Sequence, residues 1–391
     1  MKGLRGRNKE AELARIRGLD TRHGRIRLPN FLPDATRGTI RNVPSHWLHE
    51  AGVEVLMTNA YHLAERPGAD AIGSMGGLHE FMGFDRPIAT DSGGFQLWSL
   101  ARERRGKVND KGFVTTPSKG NRRVYTPERA MQAQLKLGSD IAFCLDECTH
   151  PKDALEVQER SVKRTVRWAK QCKQVLERRA PEDRPLLYGV IQGGQSEALR
   201  RQCVEQMVDI GFDGYGFGGV PFDQGGQHLV DEVYLVAELL PPDKPRHALG
   251  VGRPDSVLAA WRAGWHTFDS VAPTREARRG LIYVPLVDLD DPHEVYHSDH
   301  VFEYLDASSP KAWRDRTPID ETCPCPLCQN YSRGYLAHLF RTEDPVAGTL
   351  ATLHNLTFLH RLVATLRRIE DRISTPQGPE TEAPLPLADG G

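Results

Sequence analysis

Apolar and polar positions fall in alternating blocks along this chain. Short apolar runs that end in Gly, Asp, Asn or Thr are separated by longer stretches with helical spacing. The runs predict strands at Asn30–Ala35, Val53–Asn59, Pro87–Thr90, Asp140–Leu145, Leu186–Gln192, Gly214–Phe217, His247–Val251 and Trp265–Val271. The longer stretches predict helices at Ser45–Ala51, Pro127–Leu137, Ala154–Arg178, Ser196–Ile210, Gln227–Leu240 and Arg253–Ala263. Parallel strands need crossover connections, so eight strands alternating with helices fit a closed (β/α)8 barrel of the TIM type. A doubly wound open sheet shares the pattern and is the rival architecture.

Two segments break the rhythm. Arg102–Arg123 is basic and carries Gly106, Gly112, Pro117 and Gly120, which reads as a hairpin insertion. A second break runs from Leu286 to Asp344, ahead of a long final helix, Pro345–Ile373, that bears Arg361, Arg367, Arg368 and Arg372. The expected organisation is a barrel with an N-terminal extension over 1–285 and a small subdomain over 286–344, inserted before the last helix. The helix over 345–373 then packs on both, and a tail over 374–391, rich in Pro, Gly and Glu, is expected to be disordered.

Composition narrows the reading. A length of 391 residues suits a large barrel with an appendage. No apolar run is long enough to cross a bilayer, and the charged Met1–Arg17 segment lacks the apolar stretch of a secretory signal, so a cytoplasmic location is expected. The net charge of −1 gives no global attraction for nucleic acid, so any RNA site must be a local basic patch. Three of the seven cysteines crowd into Cys323-Pro324-Cys325-Pro326-Leu327-Cys328, which argues for metal rather than disulfides. Cys144, Cys148, Cys172 and Cys203 are scattered and read as packed thiols. Zinc takes four ligands in a tetrahedron, so the cysteines need a fourth partner from His338, His354 or His360. A Cys3His set leaves no open position, and such a zinc holds structure rather than doing chemistry.

In a barrel of this kind the active site lies at the C-terminal ends of the strands. Asp91-Ser92-Gly93-Gly94-Phe95-Gln96 follows the third strand, Asp146-Glu147-Cys148 the fourth, Gln192-Gly193-Gly194 the fifth and Gly218-Gly219 the sixth, while Asp269 ends the eighth. Taken singly, each is a turn or cap residue. Together they converge on one mouth. Two carboxylates across a mouth suit chemistry at an anomeric carbon, one attacking and the other moving the proton. Amides and further carboxylates can read the edge of a heterocyclic base, and Gly-Gly lets a backbone N–H approach a flat ligand. Arg275, Arg278 and Arg279 follow Asp269 closely in sequence and Arg253 lies at the end of the seventh strand, as either a phosphate reader or a solvated charge run.

These motifs, in this order, resemble the tRNA-guanine transglycosylase (queuine tRNA-ribosyltransferase) family from about Arg25 to Arg372. The stretches that carry the resemblance are Thr90–Gln96, Gly138–Ile141 through Asp146–Cys148, Gly211–Tyr215, Gly250–Gly252, Phe268-Asp269 with Pro273–Arg275, and the metal set ending in His354-Asn355-Leu356. The resemblance implies that Asp269 is the nucleophile on the ribose C1′ of a target guanosine and Asp91 the general acid/base. It implies that Ser92, Asp146, Gln192 and Gly219 bind the base, with Phe95 and Leu249 covering its faces. Arg253, Arg275 and Arg278 would hold the anticodon loop of a tRNA, with the target nucleotide unstacked. His354 would complete Cys323, Cys325 and Cys328 around one structural zinc per chain. The implied partners are tRNA, a 7-deazaguanine base (the aminomethyl base, queuine or a relative) and a second copy of the chain.

The sequence also departs from the family pattern. After Gly218-Gly219 the bacterial pattern reads Leu-Ala-Val-Gly-Glu, whereas this chain reads Val220-Pro221-Phe222-Asp223-Gln224. Leu249 stands where Met is usual and Ser270 where Cys is usual. Loss of a carboxylate near a cationic aminomethyl group predicts altered base choice, with Asp223 able to restore the charge. Three rival functions share part of the evidence. They are a non-catalytic RNA-binding accessory paralogue, a transglycosylase acting on another nucleic acid, and a retaining glycosidase, which would pass the sugar to water. Retention of both Asp91 and Asp269 speaks against the first.

Overall fold

In the computed structural model of the chain, residues 16–103, 106–115, 123–150, 152–219 and 230–374 are described. Eight parallel strands form the central sheet: β1 (Asn30–Pro33), β2 (Leu56–Asn59), β3 (Ile88–Asp91), β4 (Ile141–Phe143), β5 (Leu186–Ile191), β6 (Gly214–Phe217), β7 (Arg246–Ala248) and β8 (Thr267–Ser270). Neighbours follow chain order from β2 to β8, and β8 then pairs with β1 in the register Asp269–Leu32. The circle closes where Asp34 bridges Met57 and Ala35 N donates to Met57 O at 2.7 Å. Closure decides against the open doubly wound sheet.

Alternation along the strands explains the core. Side chains two apart share a face, and Leu32, Val55, Met57, Ala89, Ile141, Phe143, Tyr188 and Val190 form one buried cluster inside the barrel. Leu19, Ile26 and Leu28 join it from the hairpin Gly18–Thr21/Gly24–Arg27, which caps the barrel at the N-terminal ends of the strands. Strand β6 puts only glycine inside. A Cβ on Gly214 would lie 2.5 Å from the Tyr188 ring, and one on Gly218 would lie 2.5 Å from Val190. The neighbouring strands supply the bulk that β6 lacks.

The helices form where their caps and apolar faces agree. Thr126 accepts from Arg129 N ahead of Pro127–Leu137, and Gly138 ends that helix in the left-handed conformation. Ser196 caps Glu197–Ile210 in the same way. Between β3 and Pro127–Leu137, the basic insertion is a three-stranded antiparallel sheet of Gly106–Asn109, Gly112–Thr115 and Arg123–Tyr125. After β8 and the helix Ala272–Ala277, the strand Leu281–Pro285 pairs antiparallel with Phe302–Asp306, and the metal-ligating segment follows. The final helix, Pro345–Ser374, packs on Ala272–Ala277 and on β1. Three of its four arginines pair with carboxylates: Arg361 with Asp290 and Asp320, Arg367 with Glu54 and Arg368 with Asp290.

Among the described residues no helix is long and apolar enough to cross a membrane. The expected disordered tail and most of the N-terminal extension lie outside the described residues, as do Val220, Pro221, Phe222, Asp223 and Gln224 of the divergent segment.

Candidate active site and metal centre

The period-two alternation that fills the barrel also builds its mouth. Two residues beyond inward-facing Leu32, Met57 and Ala89, the strands present Asp34, Asn59 and Asp91; two beyond Val190 comes Gln192. Strand β8 contributes Asp269, and β7 contributes His247, with Leu249 immediately after the strand.

Asp91 ends β3 and is partly buried. Its Oδ2 accepts from Asn59 Nδ2 at 2.6 Å, and the same amide group reaches Gln96 Oε1 at 2.8 Å. Burial, followed by the Asp146 and Asp269 carboxylates, pushes Asp91 up to about 8, so it is protonated at neutral pH. The two glycines after it let the next helix approach. Gly93 is left-handed and a Cβ there would lie 2.3 Å from Tyr61; a Cβ on Gly94 would lie 2.4 Å from Asp146 Oδ1. Ser92 is buried, with its Oγ near Gly94 N at 3.4 Å.

Asp269 has 14% of its side chain exposed. Its Oδ1 receives two contacts, from Gly250 N at 3.0 Å and from His247 Nε2 at 3.0 Å. His247 is buried, and its other ring nitrogen lies 2.9 Å from Thr267 Oγ1. The imidazole is thus held at both ends, and among the described residues only Oδ1 of the Asp269 carboxylate is hydrogen-bonded.

Asp146 and Gln192 form a pair, with Gln192 Nε2 donating to Asp146 Oδ2 at 2.6 Å. Burial pushes Asp146 up to about 6. Gln192 is fully buried, and its Oε1 has no hydrogen-bond partner. An orphaned buried acceptor is costly unless something arrives to donate to it. Arg200, also fully buried, holds this side of the mouth: Nη1 donates to Ile191 O at 2.6 Å and Gly218 O at 2.9 Å, and Nε to Gly194 O at 2.9 Å. Its guanidinium lies 4.3 Å from the Phe217 ring centre. Gly219 follows with φ +105°, a conformation suited to glycine. Leu249 is partly buried beside Gly216, and Phe95 is exposed, its ring 5.4 Å from that of Trp98.

The basic residues separate into two groups. Arg253 lies 3.4 Å from Glu276 Oε1, and Glu276 Oε2 accepts from Tyr283 and Tyr304, each at 2.9 Å. Arg278 sits with Arg41, Arg275 and Arg279; burial and these three cations hold it below the usual arginine range. A cluster of four cations that repel one another is a place for an anion.

Asn59, Arg200, His247, Asp34 and Arg41 are site residues that motif reading missed. Asn59 and Asp34 carried a signal, since each is a polar residue continuing the inward face of an apolar strand. Arg200 is a lone cation on the buried face of its helix. His247 and Arg41 gave none that distinguishes them from ordinary polar positions.

In the metal centre, His354 Nδ1 lies 3.7, 3.5 and 3.2 Å from the Sγ atoms of Cys323, Cys325 and Cys328. A tetrahedral zinc with sulfur and nitrogen ligands sets those atoms roughly 3.5 Å apart, so the donor set fits. All four residues are buried. His354 Nε2 contacts Tyr283 O at 2.8 Å, and Asn355 Oδ1 accepts from Tyr283 N at 3.0 Å. His338 and His360 are outside the cluster. Cys144, Cys148, Cys172 and Cys203 are buried thiols, as expected.

A second group, His23, His79 and Asp140, brings three potential ligand atoms together at the opposite end of the barrel. Its imidazoles stack face to face, with ring centres 3.4 Å apart and planes 16° from parallel. Two rings so stacked cannot both aim in-plane lone pairs at one ion about 2.0–2.1 Å away. The buried Asp140 carboxylate instead meets His23 Nδ1 at 2.8 Å, His79 Nε2 at 3.0 Å and Ile88 N at 2.9 Å, a hydrogen-bonded support.

A closed parallel barrel with carboxylates, amides and an unpaired buried acceptor at its C-terminal mouth belongs to the class of barrel enzymes. The family model described as "Queuine tRNA-ribosyltransferase" matches residues 10–372, and the chain belongs to that family. It is 37% identical to the queuine tRNA-ribosyltransferase of Novosphingobium aromaticivorans, with 90% of each chain covered. Against that of Syntrophobacter fumaroxidans it is 38% identical over 90% of this chain and 89% of the relative. The enzyme of Thermoanaerobacter pseudethanolicus is 37% identical over 92% and 91% respectively.

Proposed function

We propose that the chain is a tRNA-guanine transglycosylase that exchanges a guanine of the tRNA anticodon loop for a 7-deazaguanine base, by two displacements at C1′ with net retention. The observation that carries this reading is the pairing of unlike carboxylates: Asp91 is held protonated to about 8, while Asp269 presents a free oxygen beside a doubly held one. Asp269 Oδ2 attacks C1′ of the target nucleoside. The C1′–N9 bond breaks, its electron pair leaves on guanine, and Asp91 donates the proton. A covalent ribosyl ester remains. The incoming base surrenders its N9 proton to Asp91 and attacks C1′, and the ester bond breaks to return the Asp269 carboxylate. Asp91 is restored as the acid, so charges and protons balance.

The remaining residues have roles that fit this scheme. Gln192 Oε1 accepts from the base edge, and Asp146, the backbone at Gly219 and Ser92 complete the base site. Phe95 and Leu249 cover the faces of the base. The cluster of Arg275 and Arg278, with Arg253, takes the phosphates around the unstacked nucleotide. Cys323, Cys325, Cys328 and His354 would hold one zinc, which supplies a fixed structural corner and no reaction step. The protein would act in the cytoplasm as a homodimer. The substituent on the incoming base remains tied to the segment with Pro221 and Gln224, and altered base choice is proposed from those residues.

Exchange of labelled guanine into a tRNA with guanine at the wobble position tests the reading. Wild type takes up label and Asp269→Asn does not. Release of free guanine without uptake would instead mark a glycosidase, and no uptake by folded wild type would mark an accessory paralogue or another nucleic-acid substrate.

A further inference from the structure

Asp34 is a fourth carboxylate at the mouth, beside Asp91, Asp146 and Asp269, and the scheme above leaves it without a task. It follows β1, the strand that lies between the Asp269 strand and the Asn59 strand. Leu32, level with Asp269 in the sheet, faces into the barrel, so Asp34 faces the same way one layer nearer the opening. Its backbone forms the bridge to Met57 that closes the circle, which fixes the side chain's place. The Thr36 hydroxyl donates to Oδ1 at 2.7 Å, and among the described residues no cation pairs with the carboxylate.

A turn residue alone does not explain this. Asn at position 34 would accept the same bond from Thr36 without adding charge beside Asp91 and Asp269. The charge is also costly: burial pushes Asp34 up to about 6, Asp269 adds to the rise, and Asp34 in turn raises Asp91. Asp34 is partly exposed and stands next to the strand of Asp269, the residue that attacks the sugar in the scheme above. The base edge is served from the other side of the mouth, where buried Gln192 holds its unpaired Oε1.

Resting on the ribosyl-transfer reading, we propose that Asp34 is a specificity-determining residue that accepts a hydrogen bond from the 2′-hydroxyl of the target nucleotide, so that the site selects a ribonucleoside over a 2′-deoxynucleoside. The 2′-hydroxyl is the neighbour of C1′ and is the group by which a protein distinguishes RNA from DNA at one position. No bond to it changes in the reaction; Asp34 binds and orients the ring.

The test compares two stem-loops that differ only in having guanosine or 2′-deoxyguanosine at the target position. Labelled guanine exchange is measured as kcat/KM for wild type, Asp34→Ala and the isosteric Asp34→Asn. Wild type should prefer the ribonucleoside by about 10- to 100-fold, the scale of one hydrogen bond to a charged group. Asp34→Ala should lose most of that preference by slowing far more on the ribonucleoside than on the deoxynucleoside, and Asp34→Asn should fall between. Equal losses on both substrates, with the ratio unchanged in both variants, would overturn the assignment while leaving the transglycosylase reading intact. Absence of exchange by wild type on either stem-loop would overturn both. Melting of Asp34→Asn within a few degrees of wild type shows that the ratio is read on folded protein.

Discussion

The metal centre and the barrel mouth are built on opposite terms. At the metal centre three cysteines from one tight segment meet one histidine, and the spare ring nitrogen of that histidine is bonded to the Tyr283 carbonyl. Each donor has a designated partner, and the set is closed. At the mouth, Asp34, Asp91, Asp146 and Asp269 crowd together, Gln192 keeps an unpaired acceptor, and Arg278 sits among like charges. A site that holds structure satisfies its groups, while a site that awaits a substrate leaves them partly unsatisfied at a cost in stability. The two are linked physically. His354 and Asn355 clasp the backbone of Tyr283, whose hydroxyl bonds Glu276, and Glu276 in turn holds Arg253 at the edge of the mouth.

The largest expected effect breaks the mouth alone. Asp269→Asn should lower guanine exchange on the order of 10³-fold or more while zinc content and melting stay near wild type. Steady-state exchange with metal analysis on the same preparation checks it. Next comes the converse. Cys325→Ala should remove the bound metal and lower the melting temperature on the order of 10 °C, because binding free energy at a structural site is folding free energy. Calorimetry reads this, and unchanged melting would make the knuckle dispensable.

The third prediction sharpens the contrast through pH. A carboxyl whose pKa rises on folding contributes stability fully below its unfolded value near 3.8, and that contribution is lost as pH climbs through its folded value, about 8 for Asp91. Asp91→Asn should therefore gain on wild type as pH rises from 5 to 8, reaching about 1–3 kcal/mol, despite losing activity. Denaturant titrations at the two pH values measure it. In single-turnover exchange by wild type, loss of guanine should slow above about pH 8 as Asp91 loses its proton. The smallest effect belongs to the cation cluster. Arg278→Ala should weaken tRNA binding by about 1 kcal/mol and make its salt dependence shallower by about one phosphate contact, with stability little changed.

Much of the frame was legible in the sequence because the barrel repeats one rule. The strand at Gly214–Phe217 was placed to the residue, and the others to within a few positions, since each apolar run ends where a polar residue must reach the mouth. The cysteine segment was equally plain, being local. The short helices Ala60–Glu65, Ala69–Ser74 and Leu78–Met82 were not anticipated, being too brief for periodicity to declare itself. The mouth was read as motifs, and its supports were lost. Arg200 acts on carbonyls of Ile191, Gly194 and Gly218, and His247 on a carboxylate 22 residues away. Contacts of that kind depend on the closed circle of strands and leave no spacing signature.

The central claim is that the unsatisfied mouth breaks and remakes a glycosidic bond through Asp269. The most direct measurement is capture of the intermediate. Wild type and Asp269→Asn are mixed with end-labelled tRNA in the absence of an incoming base, quenched with acid, and resolved under denaturing conditions. The account predicts a labelled protein–RNA adduct with wild type, mapped by mass spectrometry of the digested protein to the peptide containing Asp269, and none with the variant. An adduct on another residue, or guanine exchange that persists in Asp269→Asn, would contradict it.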